Sequence, residues 1–145
     1  MSTCEIPKSN PSSQEISQIF QNAKTIAIVG LSNEPDKDSY HVAEYLKKNH
    51  YKIIPVNPKY PEILGEKSYS SLSEIPEKID IVDVFRKPDA ILSIAKECLQ
   101  LKQKPKVFWM QLGLANQEAA DMLEKEGIKV VQSKCTKIEH ERCGF

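Results

Sequence analysis

Charge excess, long apolar runs and paired cysteine spacings are all missing from this chain, and each gap removes a class of protein. Twenty Lys and Arg balance twenty Asp and Glu over 145 residues. No overall field therefore draws the chain to nucleic acid or an anionic membrane, although a local basic pocket stays open. No stretch approaches the roughly 20 apolar residues that span a bilayer. Residues 1–13 are polar, include Pro7 and Pro11 and hold no apolar segment of the signal-peptide kind. Residues 1–12 are accordingly expected to form a flexible tail, and the protein to be cytoplasmic. Cys4, Cys98, Cys135 and Cys143 fall at no disulfide or zinc spacing, so reduced thiols are expected. Cys135, His140 and Cys143 make one ligand segment where structural zinc uses two, and no metal is expected. Glycines number five, and none of them builds G-x-G-x-x-G or G-x-x-x-x-G-K-[ST].

What the chain does have is a regular alternation of short apolar runs and amphipathic stretches. Residues 25–29 (TIAIV), 52–56 (KIIPV), 79–85 (IDIVDVF), 106–110 (KVFWM) and 128–132 read as five strands, the first closed by Gly30. Helices are predicted over 13–22, 39–49, from Pro88 onward with Ile91, Ile94, Ala95 and Cys98 buried, and from the Asn116 cap to Glu126. Residues 59–66 read as a loop, and Ser71 to Glu74 has capping-box spacing for a short helical turn. Strands separated by crossover helices predict a Rossmann-like, doubly wound α/β domain over 13–145. Its sheet is mainly parallel and five-stranded, with helices on both faces. In such sheets the ligand crevice lies past the carboxyl ends of the strands.

The loops at those ends carry the candidate residues. After the first strand come Gly30, Leu31, Ser32, Lys37 and Ser39. The glycine admits a close backbone approach, and the following helix start offers N–H groups and a positive dipole to a phosphate. The NAD fingerprint is incomplete: Ser32 stands where a second glycine is needed, and the second strand ends in Asn57, Pro58 and Lys59 rather than an acid. Lys59 and Arg86 suit an additional ribose phosphate, such as the 3′-phosphate of coenzyme A or the 2′-phosphate of NADP, Arg86 better because it pairs bidentately. Trp109 reads as core or cleft wall, and His41 and His50 as surface. No Ser/His/Asp or Cys/His arrangement is legible, so no catalytic residue is assigned.

Read in order, Val29-Gly30-Leu31-Ser32, Ile54-Pro55-Val56-Asn57-Pro58, Ile81-Val82-Asp83-Val84-Phe85-Arg86, Trp109-Met110-Gln111-Leu112-Gly113 and Cys135-Thr136-Lys137-Ile138-Glu139-His140 resemble the small stand-alone CoA-binding proteins. That domain is similar to the CoA-binding domain of the succinyl-CoA synthetase α-subunit. The resemblance covers residues 25–140 and implies coenzyme A, free or acylated, as the ligand. By resemblance, Gly30 to Ser32 with Lys37 hold the pyrophosphate, and Val56, Asn57 and Pro58 lie along the nucleotide. Phe85, Arg86 and Pro88 flank the adenine, and Gln111 to Gly113 border the pantetheine. The synthetase's second domain, with its phosphorylated histidine, has no counterpart here, so the resemblance implies a binding module rather than an enzyme. Cys135, just past the fifth strand, is either a structural thiol or a partner for the coenzyme A thiol in a mixed disulfide. The expected partner is thus a small nucleotide ligand, without nucleic acid or membrane. A small NADP-dependent oxidoreductase using the same crevice is the alternative.

Overall fold

In the computed structural model, residues 10–145 are described. The elements in chain order are α1 (Ser13–Asn22), β1 (Thr25–Val29), α2 (Asp38–Lys48), β2 (Lys52–Val56), β3 (Glu62–Ile63), β4 (Glu66–Lys67), β5 (Ile81–Val84), α3 (Ile91–Gln100), β6 (Val107–Met110), α4 (Gln117–Glu124), β7 (Lys129–Val131) and α5 (Thr136–Cys143). Single 3-10 turns at Leu72–Glu74 and Pro88–Ala90 precede β5 and α3.

The main sheet runs β2-β1-β5-β6-β7, and each pairing is parallel. β1 lies between β2 and β5, so the chain leaves β1 toward one edge, returns, and continues toward the other. This reversal separates the loops that follow β1 and β5 and opens a crevice at their carboxyl ends.

Alternation along the strands fills two cores. Ala27, Val29, Val82, Val84, Phe108 and Met110 face α3 and α4. Ile26, Ile28, Ile81, Val107 and Trp109 face the other side, where Ile16, Ile19 and Phe20 of α1 and Val42, Ala43 and Leu46 of α2 pack. Buried on both faces, the strands read as near-continuous apolar runs, as parallel strands must.

Local signals place several ends. Ser12 caps α1 in a reciprocal box with Glu15, and the Asn116 side chain accepts from Ala119 N–H at the start of α4. Asn10 grips the end of β7: its Nδ2 donates to Gln132 O at 2.9 Å, and Gln132 N donates to its Oδ1 at 2.7 Å. The last residues of the expected tail are thus bonded to the domain, while residues 1–9 of that tail lie outside the described part.

Two local expectations need correction, and one helix was missed. Residues 59–66 are not simply a loop, because Glu62–Ile63 and Glu66–Lys67 pair antiparallel. Their two-residue turn, Leu64 (φ 55°) and Gly65 (φ 75°), has the left-handed pair that hairpins favour. Leucine in place of the usual asparagine hid that turn. The capping box at Ser71 does not form: Glu74 Oε1 accepts from Ser70 N–H instead, at 2.9 Å. Finally, α5 was not foreseen. Its sequence, TKIEHERC, has no apolar stripe, and what it buries is Thr136 and His140, one turn apart. No helix among the described residues is long and apolar enough to cross a membrane.

Candidate functional site

A cleft of about 850 Å³ opens where the carboxyl ends of β1, β5 and β6 meet the starts of α2 and α5. One of its lining turns is at Gly30. The Gly30 N–H donates to Val56 O at 2.9 Å, and its φ of 88° is one that side-chain-bearing residues rarely adopt. A β-carbon there would lie 2.3 Å from Phe85 O and 2.8 Å from Arg86 Cδ. Glycine is therefore what lets the β1 turn and the end of β5 approach each other.

The rest of this loop is stapled to its neighbours. Ser32 N–H donates to Ser39 Oγ at 3.0 Å, and Glu34 N–H to Ser32 Oγ at 3.0 Å. Ser39 is buried and its oxygen is already engaged, so it acts first as a brace for the loop. Lys37 occupies the N-cap of α2 without a side-chain cap bond and stands exposed at the cleft. Arg86 and Lys137 add two more cations to the lining, against Asp38 and Glu141.

Of the residues singled out from sequence, Gly30, Ser32, Lys37, Ser39, Phe85, Arg86, Gln111 and Cys135 line this cleft. Leu31, Val56, Asn57, Pro58, Pro88 and Gly113 are not among its lining residues. Leu31 and Val56 put their side chains into the cores, because each continues a buried strand. Asn57 works as a strut: its Nδ2 donates to Leu31 O at 2.9 Å and its Oδ1 accepts from Lys59 N–H at 2.9 Å. It thus ties the loop after β2 to the loop after β1. Pro58 is exposed, Pro88 opens the 3-10 turn before α3, and the Gly113 N–H donates to Ser133 Oγ at 3.1 Å.

At the cleft floor, sequence reasoning missed two residues. Asp83, in the middle of the sheet, is fully buried. Gln111 Nε2 donates to Asp83 Oδ1 at 2.6 Å and to Thr136 Oγ1 at 2.9 Å, and Thr136 Oγ1 donates to Asp83 Oδ2 at 3.0 Å. Burial pushes the Asp83 carboxyl up to about 7, while the bonds from Gln111 and Thr136 pull the other way. The visible signal was an acid inside a strand buried on both faces, where an unpartnered charge would be prohibitive.

α5 borders the cleft through Cys135, Lys137, Ile138 and Glu141. Cys135 is its N-cap residue and half-buried. The loop before it is pinned by Trp109 Nε1, which donates to Lys134 O at 2.7 Å. Trp109 itself is fully buried. His140 turns away from the cleft into a ring of Phe20, Tyr45, Tyr51 and Phe145, with Tyr45 Oη 2.7 Å from its Nδ1. Burial holds its pKa below the usual histidine value, against the opposing charge of Glu141. His41 and His50 are exposed. Cys98 is a core thiol, raised to about 12 chiefly by burial. A smaller hollow of about 240 Å³ lies at the opposite, amino ends of the strands. There Asp80 accepts from the Lys24 and Thr25 N–H groups, so its carboxylate closes the base of the sheet.

A parallel sheet with its order reversing at β1, and a glycine turn facing cations across that point, define a Rossmann-like domain with a small-molecule cleft. The chain belongs to the CoA binding domain family, whose sequence pattern matches residues 24–141. It is 46% identical over 131 residues to the protein YneT of Bacillus subtilis (strain 168), covering 90% of this chain and 96% of that one. The α subunit of acetate–CoA ligase (ADP-forming) II of Pyrococcus furiosus is 28% identical over 129 residues. That alignment takes in 82% of this chain and only 28% of the ligase subunit. Among solved structures, a hypothetical protein from Pyrococcus horikoshii OT3 superposes with a TM-score of 0.89 at 36% identity, over 100% of both chains. The cell-free ID.343 protein from Thermus thermophilus gives 0.86 at 36% identity, over 92% of this chain and 99% of the other.

Proposed function

We propose that this chain is a binding module for coenzyme A, seated in the cleft between the β1 and β5 loops. The observation that carries the proposal is the Gly30 turn. Its missing side chain lets the β1 turn close on the end of β5, beside a cleft lined by Lys37 and Arg86, in a chain of the CoA binding domain family. The pyrophosphate sits at Gly30 to Ser32 and the start of α2, where the helix dipole and Lys37 offset its charge. Arg86 takes the 3′-phosphate or the adenine edge, with Phe85 beside it. Val56, Asn57 and Pro58 act mainly by shaping the β1 loop. The pantetheine arm runs over Gln111 toward Cys135. Pro88 and Gly113 keep supporting roles outside the cleft lining.

At the thiol end, Cys135, which lines the cleft, carries out thiol–disulfide exchange. Its thiolate attacks a disulfide of coenzyme A, forms the mixed disulfide and expels the other sulfur as a thiolate. The module then carries or protects coenzyme A rather than turning it over.

A thermal-shift series with coenzyme A, acetyl-coenzyme A, NAD, NADP and ATP tests the ligand. At about 100 times its dissociation constant a ligand adds roughly 2.7 kcal/mol, which raises the midpoint of a domain this size by about 5 to 10 °C. A shift with NADP and none with coenzyme A would overturn the proposal.

A further inference from the structure

Asp83, Gln111 and Thr136 close a triangle in which every donor is accounted for. Both Nε2 hydrogens of Gln111 point inward, one to Asp83 and one to Thr136, and the Thr136 hydroxyl hydrogen goes to the second carboxylate oxygen. An ionised carboxylate only accepts, so the amide must turn its NH2 toward Asp83. The other end of the amide, Gln111 Oε1, takes no hydrogen bond from the described residues, yet no buried side-chain nitrogen or oxygen among them lacks a partner. Oε1 therefore reaches the cleft that Gln111 lines. A buried carboxylate is a poor way to stabilise a sheet, since an apolar residue of similar volume fills such a site without the desolvation cost. Its effect at this position is to fix which end of an amide meets the ligand.

We propose that Asp83 is a positioning residue: with Thr136 it locks the Gln111 amide so that the cleft floor presents only an acceptor, selecting a ligand that donates an amide N–H there. The pantetheine arm of coenzyme A carries two such amides, so the inference rests on the coenzyme A reading while adding a residue that never touches the ligand. Replacing Asp83 by Asn removes the lock, because an amide at 83 offers either an oxygen or an NH2 to Gln111, and Gln111 can turn over.

The test compares coenzyme A with 3′-phospho-ADP, which keeps the nucleotide and lacks the amides. Titration calorimetry is run at a pH above the Asp83 titration. Asp83→Asn should weaken coenzyme A by about three- to ten-fold, the worth of one hydrogen bond, and leave 3′-phospho-ADP unchanged. Gln111→Met should show the same loss for coenzyme A, and the double variant no more than Gln111→Met alone, because Asp83 acts through Gln111. Equal losses on both ligands, no loss on coenzyme A, or additive losses would overturn the assignment.

A measurement without ligand separates this from the coenzyme A reading. The Gln111 side-chain NH2 protons should exchange slowly with solvent in the unliganded protein and faster in Asp83→Asn. Fast exchange in the parent protein refutes the lock whatever the ligand is. Slow exchange with no binding of coenzyme A refutes the ligand reading and the selectivity built on it, leaving only the amide orientation.

Discussion

Replacing Asp83 by Asn should change how stability depends on pH, with a sign opposite to that of an ordinary surface carboxylate. In the folded chain the Asp83 carboxyl is raised from 3.8 to about 7, so the native state holds a proton that the unfolded chain gives up. Its contribution is fully present below the unfolded value and is lost as pH rises through about 7. A shift of about three units corresponds to roughly 4 kcal/mol at full ionisation, taking about 1.4 kcal/mol per unit. His140 works in the other direction. Its pKa is lowered, so its contribution is lost as pH falls through the folded value. The difference between parent and Asp83→Asn cancels His140 and isolates Asp83. Urea unfolding followed by the fluorescence of the single, buried Trp109, from about pH 5 to about pH 9, measures it. The variant should gain on the parent by roughly 2 to 4 kcal/mol across that range. Stability curves that stay parallel within about 0.5 kcal/mol would refute the claim that Asp83 titrates as a buried, solvent-excluded acid.

Gly30→Ala should lose about 2 kcal/mol or more, because it adds both a disfavoured φ and a contact with Phe85 O; a melting temperature equal to the parent's counts against the close approach. Arg86→Ala should weaken coenzyme A more than dephospho-coenzyme A in titration calorimetry, and equal losses remove the 3′-phosphate from Arg86. Tyr45→Phe strips the Nδ1 partner of buried His140 and should cost about 1 to 3 kcal/mol, read by urea unfolding. Nonreducing mass spectrometry of protein taken from cells should find a reducible adduct of coenzyme A mass on Cys135, absent in Cys135→Ser; its absence from the parent sinks the exchange step.

The strands and most helices were legible in the sequence because their signals are local. Runs such as TIAIV and KIIPV report burial on both faces, and Asn116 reports a cap within three residues of its target. Gly30 at the end of β1 likewise marked the cleft side of the sheet, through the strand-end rule for doubly wound sheets. α5 stayed hidden because it is held by tertiary contacts rather than by an apolar stripe. Thr136 bonds to Asp83 across 53 residues, and His140 fills an aromatic ring drawn from α1, α2 and the chain end.

The same separation explains the uneven fate of the candidate residues. Which loops reach the crevice follows from strand order, so Ser32, Lys37, Arg86 and Gln111 were findable. Whether a side chain faces ligand or core depends on packing, which turned Leu31 inward and made Asn57 a strut. Chain order and periodicity specified the five-stranded frame and its glycine turn, because backbone hydrogen bonding and strand alternation act over a few residues. The closed triangle at the cleft floor was settled by the folded sheet alone, because its three members lie 25 to 53 residues apart and a buried carboxylate finds its partners only once the strands are paired.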